Sequence, residues 1–478
     1  MGKMEATTRD AYNLFHEGTL MLSRMEHNGI RIDLDQLERS TEEVKGKIQT
    51  LQDRMISDEV YPIWKGKFGN KTNLGSRQQL AEVLFDEMGY QSLGRTARGR
   101  QRTDEKALER IDLPFVKDFL AVESHKKSLG TYLEGMKREL VGDMLHCSFD
   151  LNTAVTYRSS SKHINFQNLP VRDPEQAALI RPNFIPYYDY FAEVDFSTIE
   201  VRVGKCYHND PVMDGYLRDK SKDMHRDTAM GLYLIDHWED VPEKARKAVR
   251  YQGKNGYVFP VFYGSVYFQC APNLWEAADK LIGPGGVPMK EHLRNKGITK
   301  LGMCDSKNKE PRPGTYEELV KKFEEDFWGR RFKVYAEWKK SWYKEYLQRG
   351  WFQNFTGFRF SGLMKYNDSV NYPIQSCAFH CLLWSLIRLQ KWLDREKYKT
   401  RILGQIHDSV LLDIPERELD RVLNRCVEIM TEDLPRAWKW VNAPLEVEVE
   451  VPPRGESWHK KEKWICKNGY WSPEKKAA

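Results

Sequence analysis

The sequence predicts a mixed α/β (α+β) chain in which an antiparallel sheet carries the chemistry and a helical subdomain interrupts that sheet. Three observations lead there. Short apolar runs with few helix signals occur at Glu193–Phe196 and Ile402–Ile414, and Leu445–Val451 alternates strictly as Leu-Glu-Val-Glu-Val-Glu-Val. Between the first two runs lies a mainly helical stretch, 213–345, with irregular Gly/Pro-rich patches at Gly283–Pro288 and Lys307–Gly314. At 478 residues the chain is too long for one compact core and divides into about two to four subdomains.

Taken in order, Leu14, Leu20, Leu22 and Met25 recur at helical spacing; Asn28-Gly29 breaks the helix, Ile30-Arg31-Ile32-Asp33 is extended, and a second helix runs to about Ile56. From 60 to 140, helical patterns alternate with a loop, Ser92–Thr103, that carries Arg95, Arg98, Arg100 and Arg102 among glycines and small polar residues, with no acid before Asp104. Its composition is that of a mobile cationic loop suited to phosphates. After Ile414, Pro415 hands a strand over to an acid-rich amphipathic helix, Glu416–Met430. The last thirty or so residues, ending in Lys475-Lys476, read as an appended extension.

Composition excludes more than it selects. Hydrophobic residues are 40% and charged residues 30%, with no run long enough to span a bilayer and no charged-then-apolar leader, so a soluble protein without a membrane partner is expected. Met1-Gly2 resembles the start of a myristoylation signal, but Ala6 stands where Ser or Thr is required. The eight cysteines are scattered without a Cys-x-x-Cys; Cys377, His380 and Cys381 lie in a run that reads as a buried helix, so a reducing compartment and no structural zinc are expected. A net charge of +6 is compatible with a polyanionic partner without establishing one.

The chemistry is written at two strand ends. Ala192-Glu193-Val194-Asp195 runs into Phe196-Ser197-Thr198-Ile199-Glu200-Val201-Arg202, and 213 residues after Asp195 comes Gln405-Ile406-His407-Asp408-Ser409. A carboxylate pair of this kind suits nucleotidyl transfer, in which two divalent ions about 4 Å apart activate a hydroxyl and stabilise the leaving pyrophosphate. Magnesium prefers one or two carboxylates plus substrate phosphates.

These segments resemble motifs A and C of family A DNA polymerases, the polymerase I-like module, whose patterns are Asp-Tyr-Ser-Gln-Ile-Glu-Leu-Arg and His-Asp-Glu before an apolar strand. Between them Arg250, Lys254, Phe259, Tyr263 and Gly264 are similar to the motif B pattern Arg-x3-Lys-x3-Phe/Tyr-x3-Tyr-Gly. Arg158-Ser159-Ser160-Ser161 through Asn165-Phe166-Gln167-Asn168-Leu169-Pro170, Asp223-Met224-His225, and Asn371-Tyr372-Pro373-Ile374-Gln375 resemble further family segments in the same order, so the likeness extends from about 12 to 459. It implies a right-hand polymerase fold with an antiparallel palm sheet, a helical thumb and helical fingers. The implied division is a lead-in and palm edge at 1–44, a thumb at 45–138, palm at 139–212, fingers at 213–345, palm again at 346–459 and an extension at 460–478.

The resemblance also implies roles. Asp195 and Asp408, with the Phe196 carbonyl, would hold two magnesium ions, for which manganese can substitute. Arg250 and Lys254, one helical turn apart, would meet the triphosphate of an incoming deoxynucleotide, with His225 as a further donor. Glu200 would block a ribose 2′-hydroxyl and bond Tyr263, and Phe259 or Tyr257 would stack on the nucleotide. Arg158, Asn165, Gln167, Asn168, Arg359, Asn371, Gln375 and His407 would grip primer and template through acceptors shared by all base pairs. Arg95, Arg98, Arg100 and Arg102 would touch the DNA backbone.

Three departures from the pattern stand out. One residue is inserted between Lys254 and Phe259, and Pro260 follows, which predicts a bulge or kink in the fingers helix. Ser409 replaces the glutamate that follows the motif C aspartate, and Asn367 stands in place of an arginine, leaving Lys365 as the alternative cation. The segment that would carry a proofreading exonuclease is not expected in this chain, which suggests a separate exonuclease or processivity subunit, a replicative or gap-filling repair role, and the cytoplasm of a bacterial or virus-infected cell. Partners expected are primer-template DNA and deoxynucleoside triphosphates; a sliding partner on Trp458–Trp471 is a further expectation. A DNA-binding protein that has lost its chemistry and an RNA polymerase are the rival readings; the retained aspartates oppose the first and Glu200 the second.

Overall fold

A computed structural model describes residues 6–92, 94–96, 98–170, 173–302 and 310–474. Helix α1 (Thr8–Asn28) begins at a capping box between Thr7 and Asp10 and ends at Gly29, whose φ of 64° lets the chain turn. Ile30–Arg31 then pairs antiparallel with Met144–Leu145, and Asp33 caps α2 (Leu34–Ser57) by accepting from the Gln36 N–H at 2.9 Å. Helix α3 (Pro114–Lys127) packs along α2, and the fully buried Trp64 and Phe115 meet at 5.8 Å between ring centroids.

The central sheet has six strands: β1 (Tyr190–Phe196), β2 (Arg401–Ile406), β3 (Ser409–Ile414), β4 (Val447–Val451), β5 (Glu462–Lys467) and β6 (Tyr470–Pro473). Their order is β6-β5-β4-β1-β3-β2 and every neighbouring pair is antiparallel. Strand β3 is buried along its whole length, which explains its nearly unbroken apolar run. The exception, Asp413, accepts from the N–H groups of Tyr187 (3.1 Å) and Tyr188 (3.0 Å). The run Ile402–Ile414 is thus a hairpin of two strands, turned at His407-Asp408.

Helix α4 (Ile199–His208) leaves β1 through Thr198 in the left-handed region. Beyond it a second hydrophobic core gathers residues from Met213 to Tyr335, including helix α5 (Met224–Leu232) and α6 (Glu243–Tyr251). The chain returns through α7 (Lys333–Arg349) and the long α8 (Tyr366–Glu396), which belongs to the main core with the sheet. Among the described residues no helix is long and apolar enough to cross a membrane.

Several expectations change here. The boundary at 44/45 falls inside α2 and that at 345/346 inside α7, because each helix continues its apolar spacing across the point chosen. The tail from 460 is no appendage. Strands β5 and β6 extend the sheet, and Trp458 is fully buried, stacked on Phe166 and Phe191 at 5.7 Å each, so this ring belongs to the core, while Tyr470 stays exposed. The arginine-rich loop is closed by Thr96 N–H to Arg100 O (2.7 Å), Gly99 N–H to Thr96 O (2.8 Å) and Arg102 N–H to Gly94 O (3.0 Å). Its described residues are thus tied to one another by backbone hydrogen bonds, with Gly94 and Gly99 at positive φ. Met1-Gly2, Lys475-Lys476 and the 307–309 end of the second Gly/Pro patch lie outside the described residues.

Candidate active site

The two aspartates come together through strand pairing. Asp195 faces Ser409 across the β1–β3 ladder, and the Phe196 N–H donates to the Asp408 carbonyl at 3.2 Å. Asp408 sits in the two-residue turn of the β2–β3 hairpin, which His407 enables at a φ of 55°. Ser409 is buried and its hydroxyl donates to the Ile406 carbonyl at 3.3 Å, so the departure from glutamate tightens this turn without adding charge. Burial raises the pKa of both aspartates, and the Asp408 charge raises that of Asp195 further.

Asp408, His407, Arg158, Glu200, Phe259, Tyr263 and Asn371 line one cavity of about 450 Å³. It therefore draws on the sheet, on the first turn of α4, on the helical insertion and on α8. Glu200 is ion-paired with Arg158, whose Nε also donates to the Gln375 carbonyl at 3.4 Å. Burial and the Asp408 charge push Glu200 up to about 7, against that direct pairing. The expected Glu200–Tyr263 bond is absent among the described residues because Arg158 takes the carboxylate; Tyr263, 40% exposed, is left open to the cleft.

On the insertion side, α6 gives way at Gln252 to a π-helical turn, Gln252–Val258, before an α-helical piece resumes at Phe259–Phe262. The inserted residue is absorbed there, and Pro260 falls in the first turn of the resumed helix, where its missing N–H is tolerated. The π turn rotates Phe259 to the cavity and Tyr257 inward, against Phe323 (5.2 Å) and Phe327 (5.5 Å). Phe259 is thus the aromatic at the site and Tyr257 is core. Lys254 Nζ lies 5.1 Å from the Phe259 ring and the His225 ring meets it edge-on at 5.8 Å.

His225 is buried with Nδ1 unpartnered, and burial, followed by the Arg250 charge, holds its pKa down to about 4, so it stands neutral at neutral pH. Arg250 Nε donates to Asp223 at 2.5 Å, so this cation already has a carboxylate partner. Asp223 also caps α5 by accepting from the His225 and Arg226 N–H groups, a dual use signalled by its place before the helix.

The remaining candidates divide. Gln167 turns inward to Ser159 (2.8 Å), which Gln405 also contacts; Ser159 is a linking residue that sequence reasoning passed over. Asn165 and Asn168 are exposed, and Asn165 accepts from Ser161 at 3.0 Å. Gln375 is half-buried beside Arg158, while Arg359 stands apart on the Trp351–Gln353/Arg359–Ser361 hairpin, its guanidinium 4.2 Å from the Trp351 ring. Asn367 and Asn371, one turn apart on α8, donate to the carbonyls of Gly264 (3.4 Å) and Tyr263 (3.3 Å), so Asn367 fastens the end of motif B where an arginine was expected. In the cationic hairpin Arg95 donates to Gly99 O and Arg102 pairs with Asp104 at 2.7 Å, while Arg98 and Arg100 are exposed. Lys461, which pairs with Glu193 beneath Asp195 at 2.6 Å, went unnoticed because the tail was read as an extension.

The donor set suits a hard divalent cation. Asp195 Oδ1 is buried and lacks any hydrogen-bond partner, an oxygen that a cation would satisfy. Among the described residues no group of three or more His, Cys, Asp or Glu side chains converges, so the side-chain donors are this aspartate pair.

A family model for DNA polymerase family A matches residues 34–279 and 358–460. DNA polymerase I of Bacillus caldotenax is 26% identical over 459 residues, covering 92% of this chain and 45% of the relative. The thermostable DNA polymerase I of Thermus thermophilus is 27% identical over 455 residues, covering 92% and 47%. The chain spans about half the length of the curated relatives it matches. The POL domain of Pol1 from M. smegmatis, solved in complex with DNA primer-template and dNTP, superposes with a TM-score of 0.71 at 23% identity over 93% of this chain and 70% of that one, and shows the same right-hand fold.

Proposed function

Because the chain belongs to DNA polymerase family A, we propose that it adds deoxynucleotides to a primer 3′-hydroxyl under the direction of a template, with release of pyrophosphate. The observation that carries this reading is the convergence of Asp408, Glu200, Phe259 and Tyr263 on one cavity beside the orphaned oxygen of Asp195. Asp195 and Asp408, with the Phe196 carbonyl, would hold two magnesium or manganese ions. When bound, such ions supply Lewis acidity to the attacking hydroxyl and offset the charge of the leaving pyrophosphate.

The chain's own residues bind and orient. Lys254 and the neutral imidazole of His225 face the triphosphate, and Arg250 joins them by exchanging Asp223 for phosphate oxygens, which leaves Asp223 as the α5 cap. Phe259 supports the base, and Glu200, held by Arg158, closes the space a 2′-hydroxyl would occupy. Arg158, Asn165, Asn168, Gln375, His407 and Asn371 grip the primer-template, with Gln167 supporting them from within; Arg359 and the exposed arginines of the 94–102 hairpin meet phosphates farther out. Partners are primer-template DNA, deoxynucleoside triphosphates and a separate exonuclease or processivity subunit, in a cytoplasmic setting, in replication or repair.

The test offers one nucleotide at a time on a labelled primed template. Extension only by the base complementary to the template, with deoxy- preferred to ribonucleotide, supports the reading. Untemplated addition, or equal use of ribonucleotides, overturns it.

A further inference from the structure

A second cleft, of about 900 Å³, opens where the C-terminal half of α8 meets α1 and the turn at Trp438–Asn442. It shares no lining residue with the cavity above: α8 presents Ile374, Ala378 and Phe379 there but Trp384 and Arg388 here. Its floor is a run of half-buried rings. Phe355 stacks on Trp440 (5.0 Å, 24°), Trp440 on Trp438 (5.6 Å, 25°), and Trp438 leans on Trp384 (5.9 Å, 51°). Exposed cations flank the run: Arg388, 5.2 Å from the Trp384 ring, and Lys439, between the two tryptophans, neither with an ion pair among the described residues.

The acids of the cleft are already committed. Asp10 caps α1, and Glu17 pairs with Lys391 at 2.5 Å. The tryptophan turn is held in place, since Lys205 and Arg218 donate to the Asn442 carbonyl at 3.2 and 3.0 Å and Asn442 donates to Asn209 at 2.9 Å. Rigid aromatic platforms beside unpaired cations are what successive bases and phosphates of a single strand require. Two cations without a carboxylate partner among the described residues favour a polyanion over an uncharged proline-rich segment.

We propose that this cleft is a second nucleic-acid site, for single-stranded DNA, separate from the polymerase cavity: bases pack against the parts of Trp438 and Trp440 that the neighbouring rings leave uncovered, and Arg388 and Lys439 take the phosphates. The site is tested with a fluorescent oligothymidylate carrying one 5-iodouracil, whose photochemistry joins it to adjacent aromatic residues, so the readout does not depend on primer extension. The expected result is a cross-linked peptide containing Trp438–Trp440 and, in the Arg388→Glu/Lys439→Glu double variant, affinity at that site weaker by about tenfold or more. Both substituted residues are exposed, so the fold is kept, and thermal unfolding verifies it. Cross-links confined to other peptides, or equal affinity in the double variant, overturn the proposal. So does binding of decaproline at this cleft with no oligothymidylate there, which would assign it to a protein segment.

Discussion

Replacing Gly253 by alanine sets two opposing effects against each other, and the structure decides between them. Gly253 lies in the π turn against α5. A Cβ there would overlap the His225 carbonyl oxygen and stand 3.0 and 3.1 Å from Ala229 N and Cβ, where ordinary contact is 3.4–4 Å. The obstacle is backbone, which cannot rotate aside. Overpacking of this kind costs about 1–3 kcal/mol, whereas the helix preference for alanine over glycine returns at most ~1 kcal/mol. With the cost at the upper end because the obstacle is rigid, the net is a loss of ~1–2 kcal/mol, or an unfolding midpoint lower by about 1–2 °C in a chain of 478 residues. Relief of the clash also moves Lys254 and Phe259 away from His225, so kcat/KM for the incoming nucleotide falls by about ten- to a hundredfold. Gly46→Ala is the control: it lies within α2 with nothing within 4 Å of its Cβ position, and is expected to gain ~0.5–1 kcal/mol. Calorimetry and steady-state extension measure both. A Gly253→Ala variant as stable and as active as its parent would refute the packing argument.

Other consequences follow from the same geometry. Burial raises Asp413 to about 6 from an ordinary 3.8, so the folded chain holds its proton more tightly than the unfolded chain does; this stabilisation is complete below pH 3.8 and is lost as pH rises through 6. Between those values the parent loses at most ~1.4 kcal/mol per pH unit through this group, and Asp413→Asn removes that slope in urea titrations at stepped pH; an unchanged slope counts against the assignment. Trp458→Ala removes a ring packed on three phenylalanines and a donor to Glu193, and is expected to cost about 3–5 kcal/mol by urea unfolding, against almost nothing if the tail were an appendage. Replacing Arg95, Arg98 and Arg100 together by alanine is expected to reduce the salt slope of DNA binding by about 2.7, at ~0.9 for each phosphate no longer neutralised; an unchanged slope would take the hairpin off the DNA.

How far the sequence could be read depended on whether the signal was local. The strands holding Asp195 and Asp408 were legible because apolar runs and alternation are properties of a few neighbouring residues, and the bulge was legible because one inserted residue before Pro260 cannot be accommodated in unbroken α-helix. That Asp408 stands at a strand end was legible from the polar His407-Asp408-Ser409 between apolar runs, but the left-handed conformation at His407 that makes the turn a tight hairpin was not. The engagement of Arg250 with Asp223 and of Glu200 with Arg158 depends on residues 27 and 42 positions apart, which no local pattern encodes. The tail misled because polar edge strands resemble an exposed extension: Trp464 and Trp458 find their partners only once the sheet has formed. The tryptophan turn carried no family motif and so drew no attention.

The central claim, that two carboxylates joined by one strand pairing perform nucleotidyl transfer, is tested most directly by primer extension in magnesium. The parent is compared with Asp195→Ala and Asp408→Ala, with binding of the same primed template measured in parallel. The account predicts extension by the parent alone and comparable DNA binding by all three proteins. Extension by either variant at the parental rate, or binding without extension by the parent, would contradict it.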